Sequence, residues 1–174
     1  MQLNFPYPDD HVKGCTKYLL SIPQITNLVG QYDNGTPFIF QEEIIQNMNG
    51  ISAKWPENPV TAIVVKGSGT WGTPSPQTTE RFPKLTIEIW ADPPRGMDGK
   101  VTRPRDARLA ADYLYNIMDS YLNFTSSEVV MFGTQPVWRS YRLGDIAFMP
   151  KLNSEDDLVI GTVSYGLQTA FFQS

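Results

Sequence analysis

The sequence predicts an α+β fold in which a largely antiparallel, mixed β-sheet carries helices on one face and long loops join the strands. Three observations predict it. In residues 84–90, Leu85, Ile87 and Ile89 alternate with Thr86, Glu88 and Trp90, the period of two that sends successive side chains to opposite faces of a half-buried strand. In residues 105–122, Ala107, Ala110, Ala111, Leu114, Ile117, Met118 and Tyr121 recur at steps of three and four, which makes one apolar stripe on a helix. Finally, the elements run helix, strands, helix, strands, an order that segregates helices from strands and favours an antiparallel sheet over repeated βαβ units.

Taken in order, residues 1–11 read as an extended arm, because Pro6 and Pro8 disfavour helix. A first helix is predicted over residues 12–20. A second covers 23–29, with Pro23 in the first turn, where its missing N–H costs nothing, and Gly30 as the stop. Phe38, Ile39 and Phe40 form a short edge strand, and residues 42–48 fit either a helical turn or a loop. Residues 60–66 are a buried strand by composition. Residues 67–81, rich in Gly, Ser, Thr and Pro around Trp71, form a long loop between that strand and residues 85–90. A second long loop, 92–105, opens with Asp92-Pro93-Pro94-Arg95-Gly96 and carries Arg95, Lys100, Arg103 and Arg105. Pro104 suits the start of the 105–122 helix, which folds back on the apolar face of the strand before it. Strands follow over 128–132 and 158–172, with residues 136–143 contributing Trp138, Arg139, Tyr141 and Arg142 between them. Asn153, Ser154 and three acidic residues make a turn.

The whole chain, residues 1–174, reads as one domain. Its 41% hydrophobic content is that of an ordinary globular protein, and 14 prolines with 13 glycines fit strands joined by shaped loops. A formal charge of −4 argues against dedicated nucleic-acid binding, which draws on clustered Lys and Arg. The one cysteine, Cys15, cannot form a disulfide within the chain. No run of about eighteen apolar residues exists to span a membrane, and the first ten residues are polar and unlike a targeting segment. The expectation is a protein soluble in the compartment where it is made.

Catalytic chemistry finds little footing. With one histidine and one cysteine, a His-dependent scheme rests on His11 alone. Asp9, Asp10, His11 and Cys15 lack the paired ligand spacing of a structural zinc site. Gly67-Ser68-Gly69-Thr70 lacks the Lys-Ser/Thr ending of a phosphate loop. Asp106, Asp112 and Asp119 share a helix without companion carboxylates, and the acidic turn at Glu155, Asp156 and Asp157 reads as a solvated tip. The expectation is a protein that is not an enzyme and uses no metal or cofactor. Aromatic and arginine anchors remain: Trp71, Arg95, Arg103, Arg105, Trp138, Arg139 and Tyr141, the residue types that dominate protein–protein contacts. They are the candidate subunit-interface residues, and the two tryptophans alternatively plug the core. The arginines of the second loop could otherwise hold an anion.

The order of these elements resembles the tail terminator, or tail-completion, proteins of long non-contractile-tailed bacteriophages. The residues that carry the likeness are the helical stretch ending Leu28-Val29-Gly30 and the extended Thr36-Pro37-Phe38-Ile39-Phe40. They continue in the strand at 85–90, the helix at 106–122 and the C-terminal strand ending Tyr165-Gly166-Leu167-Gln168-Thr169. The resemblance implies a small α+β structural protein of the virion, assembled in the host cytoplasm into a homo-oligomeric ring, as a hexamer. Its implied partners are the tail-tube protein and the head–tail connector, with DNA passing nearby unbound and no membrane involved. A head–tail stopper or tail-tube subunit is the alternative in the same class, and a small-ligand or anion-binding domain the alternative in another.

Overall fold

The computed structural model describes residues 10–41, 59–70, 80–150 and 158–170. Its elements are α1 (Asp10–Leu20), α2 (Pro23–Thr26), β1 (Ile39–Gln41), β2 (Val60–Thr70), β3 (Glu80–Arg81), β4 (Pro83–Asp92), α3 (Pro104–Leu122), β5 (Phe124–Phe132), β6 (Gln135–Arg142), β7 (Ala147–Pro150) and β8 (Val159–Ala170). The strands form one sheet in the order β1-β2-β4-β8-β6-β5, with β3 and β7 also paired to β8. Among the described strands, β1 and β2 run parallel and the other pairs are antiparallel. The α+β class with a mixed, mostly antiparallel sheet is therefore present.

β8 is the axis of the sheet. Along one edge it pairs with β4 over Val159–Gly166 and with β3 at Thr169 and Ala170. Along the other it pairs with β7 over Val159–Thr162 and with β6 from Tyr165 to Thr169. The pairs β3/β4 and β6/β7 thus act as two interrupted strands flanking one continuous strand.

Alternation decides what each face buries. Ile63 and Val65 of β2, Leu85, Ile87 and Ile89 of β4, and Val163, Tyr165 and Leu167 of β8 point to one face. There they pack with Cys15 and Leu19 of α1, Ile25 of α2, and Ala107, Ala111, Leu114, Met118 and Leu122 of α3. The described helices α1, α2 and α3 all lie on this face. Each Leu or Ile wholly removed from water there contributes roughly 1.5–3 kcal/mol before the entropy of ordering is counted. The opposite face carries a smaller cluster of Phe38, Phe40, Ala62 and Val64, flanked by Tyr32 and Trp90. Beyond it lie the Lys66–Glu88 ion pair and the Thr86–Ser164 hydroxyl contact of 3.2 Å.

α1 approaches the sheet most closely at Gly14, where a Cβ would sit 2.3 Å from the Phe132 carbonyl oxygen. One turn on, Tyr18 stacks on Phe132 at 4.6 Å between ring centroids. The β5–β6 connection beneath is a two-residue turn, Gly133-Thr134, with Gly133 at φ +63°, as such hairpins require.

Several boundaries differ from the sequence expectation. α1 begins at Asp10, so helix takes in His11, which the extended arm had claimed; residues 1–9 lie outside the described residues. α2 ends at Thr26 rather than at residue 29, because the chain must turn for the Gly30 N–H to reach the Thr61 carbonyl. β2 runs on to Thr70 through Gly67-Ser68-Gly69. A bulge with Gly69 at φ +89° keeps the ladder going, with Gly67 opposite Leu85 and Thr70 opposite Pro83. Of the loop expected at 67–81, residues 67–70 belong to β2 and residues 80–81 to β3; residues 71–79 lie outside the described residues, as do residues 42–48 and the turn expected at 153–157. The loop expected at 92–105 is a pinned hairpin with an Arg95–Val101 bridge, and α3 already begins at Pro104. β5 starts at Phe124, directly after α3, and β7 is a strand that the sequence pattern did not suggest.

Candidate subunit interface

The sheet separates the expected interface residues into two groups. Arg95, Arg103 and Arg105 stand at the end where β4 leaves the sheet and α3 begins. Arg139 and Tyr141 stand on β6, on the helix-free face opposite Gln168 and Gly166, with Trp138 half-buried in the bulge between Val137 and Arg139. The registers Ala91↔Val159 and Arg139↔Gln168 leave roughly 30 Å of β8 between the groups. Trp71 lies outside the described residues.

Arg95 and Arg103 of the first group are engaged within their own chain. The Arg95 guanidinium donates to Asp92 Oδ1 at 3.2 Å and to the Gly99 carbonyl at 3.3 Å. Thr102 closes the same hairpin by donating its N–H and its hydroxyl to the Pro94 carbonyl, at 3.0 and 3.3 Å. Arg103 pairs with Asp106 at 3.3 Å across the start of α3, and Arg105 is exposed on the first turn. The hairpin is thus held rigid, and its tip residue, Met97, is 98% exposed. An apolar side chain on a pre-shaped support is suited to docking, since little ordering entropy remains to be lost on contact. In the second group the Arg139 guanidinium stacks over the Tyr141 ring, 4.4 Å from its centroid.

Sequence reasoning missed two features. The first is a polar network between α3 and the sheet. Tyr165, fully buried, donates to Asp119 Oδ1 at 2.6 Å, and Arg142 Nη1 donates to Tyr115 Oη at 2.6 Å and to Asp119 Oδ2 at 3.5 Å. Burial, and then the Asp119 carboxylate, push the Tyr165 phenol far above its ordinary range. The hydrogen bond to Tyr115 raises the Arg142 guanidinium further, so it stays cationic. Every member serves another member, which makes the network a clamp rather than a reactive centre. The second is the outer face of α3, where Leu109 and Tyr113 are 65% and 58% exposed. Their i, i+4 spacing on the side away from the apolar stripe was a readable signal.

Cys15 is wholly buried, and burial raises its thiol well above the usual range, which suits packing rather than nucleophilic work. Among the described residues no group of three or more His, Cys, Asp or Glu side chains is placed to hold a metal ion. Also among them, no helix is long and apolar enough to cross a membrane. Compared with known proteins, the chain matches no family model and no curated sequence.

Proposed function

We propose that this chain is a structural protein of a bacteriophage tail, a ring-forming terminator that caps the tail tube and joins it to the head connector, with no enzymatic role. The observation that carries the proposal is the placement of two unlike candidate patches at opposite ends of β8. One is the rigid Arg95–Val101 hairpin with Met97 at its tip, and the other is Arg139 and Tyr141 on β6. A ring closes through one heterologous contact repeated by rotation, so each subunit must present two different surfaces. The internal pairing of Arg95 and Arg103 weighs against an anion site at that end, because those guanidinium groups already have carboxylate partners. A net charge of −4 agrees with a conduit that DNA passes without adhering. The protein then resides in the virion, at the tail or neck.

Light scattering with negative-stain imaging of the purified protein tests this, alone and with tail tubes added. Closed rings, or capping of tube ends, are expected. Open filaments would transfer the reading to a tube subunit, and a protein that neither closes nor touches tubes would overturn it. A mixing experiment tests the two patches. Met97→Glu and Arg139→Glu should each prevent ring closure, and a mixture of the two should pair through the one contact left intact without closing.

A further inference from the structure

We infer that the outer face of α3 is a self-complementary docking surface for a second copy of this chain, paired antiparallel about a two-fold axis. The inference stands apart from the ring contact, which needs two unlike patches. Four residues carry it. Leu109 and Tyr113 stand one turn apart and expose 65% and 58% of their surface, more than any other large apolar side chain on the described helices. Beside them, Arg108 and Asp112 form an i, i+4 ion pair at 3.4 Å, with 53% and 43% of each side chain exposed.

A two-fold axis normal to a helix exchanges positions equally spaced about its foot. Placed at Ala110, it sets Arg108 of one copy against Asp112 of the other, and the reverse. Placed at the height of residue 111, it sets Leu109 against Tyr113. The two positions differ by about 1.5 Å of helical rise, so one axis serves both pairs. An isologous contact demands this kind of surface, complementary to itself under exchange. Cation meets carboxylate twice on the flanks, and aliphatic meets aromatic twice at the centre. Beside the Leu109–Tyr113 pair stands Ala110, half-buried and too small to hold the two helices apart. Arg108 is also fixed in place, its guanidinium lying 3.6 Å from the centroid of the Phe148 ring on β7. That contact holds the charge at the rim, where it reaches a partner at little further cost in side-chain entropy.

Sedimentation equilibrium over a range of concentrations tests the inference on the wild type, Leu109→Asp, Arg108→Asp and the swap Arg108→Asp/Asp112→Arg. Circular dichroism of each variant establishes that it is folded. The wild type should pair reversibly, and Leu109→Asp, at an exposed position, should halve the observed mass. Arg108→Asp replaces two attractions by two repulsions and should weaken pairing about tenfold or more. The double swap restores opposite charges across the axis and should recover most of the loss. A wild type that never pairs, a Leu109→Asp variant of unchanged mass, or a swap no better than the single reversal would each overturn the inference. Rings whose mass is indifferent to Leu109→Asp would overturn it while leaving the ring reading intact. A dimer sensitive to Leu109→Asp that never closes into rings would do the opposite.

Discussion

Replacing Tyr165 by phenylalanine deletes one hydroxyl and keeps the ring that fills the core between α3 and β8. The hydroxyl donates to Asp119 Oδ1 at 2.6 Å, from a side chain with no exposed surface to a carboxylate that is 18% exposed. A hydrogen bond to a charged acceptor is worth roughly 1.5–3 kcal/mol net. The partial hydration of Asp119 places the expected loss at the lower end, about 1.5–2 kcal/mol. For a domain of this size each kcal/mol lowers Tm by about 2–4 °C, so Tyr165→Phe should melt roughly 3–8 °C below the wild type. Urea denaturation followed by circular dichroism should show a lower midpoint at an unchanged m-value. A double-mutant cycle with Asp119→Asn should return a coupling of about 1 kcal/mol, since the partners touch. A Tyr165→Phe protein within about 0.5 kcal/mol of wild type, or a cycle without coupling, would refute the clamp.

Three further outcomes follow from the packing. Gly14→Ala would drive a Cβ to 2.3 Å from the backbone oxygen of Phe132, which cannot swing aside; α1 must shift, at a cost of about 1–3 kcal/mol by urea denaturation. Arg95→Ala should leave global stability little changed but loosen the hairpin, raising trypsin cleavage after Lys100 roughly tenfold at equal temperature. Both Cys15 and Tyr165 have pKa values raised by burial, Cys15 for that reason alone. A raised folded pKa means that the folded state favours the proton. That stability is complete below the unfolded values of about 8.5 and 10 and is lost as pH climbs beyond them. Tm should therefore fall above about pH 9, and Cys15→Ala should postpone the first part of the fall; a Tm flat to pH 11 would contradict this.

The strand at residues 84–90 and the helix at 105–122 were legible because each has one face toward the core and one away, and burial writes that difference into the sequence at periods of two and 3.6. β8 was legible for the same reason. Glycine misled at residues 67–70, where its freedom serves a bulge within the ladder rather than a departure from it. The 92–105 tract looked like an open loop, because what orders it is a side chain, Arg95, bonding a carboxylate and a carbonyl three and four residues away. β7 was hidden because a four-residue strand ending in proline has too few positions to display a period. Of the interface candidates, the chain order showed residue types but not separation. The distance between Arg95 and Arg139 is set by sheet register, which no local pattern encodes.

That β8 bonds along both edges also constrains the order in which the molecule can be made. β2 and β4 can pair as soon as they exist, and β5 and β6 likewise through their two-residue turn, but neither hairpin touches the other in the sheet order except through β8. Until β8, which follows the other described strands in the chain, arrives, β4 and β6 each present a bare row of amides and carbonyls to the surroundings. Folding should therefore proceed as two half-sheets waiting on a keystone, slowly, because the decisive contacts join distant parts of the chain. The waiting interval is when the protein is most exposed to wrong partners, and substitutions that weaken β8 should surface first as poor solubility during expression.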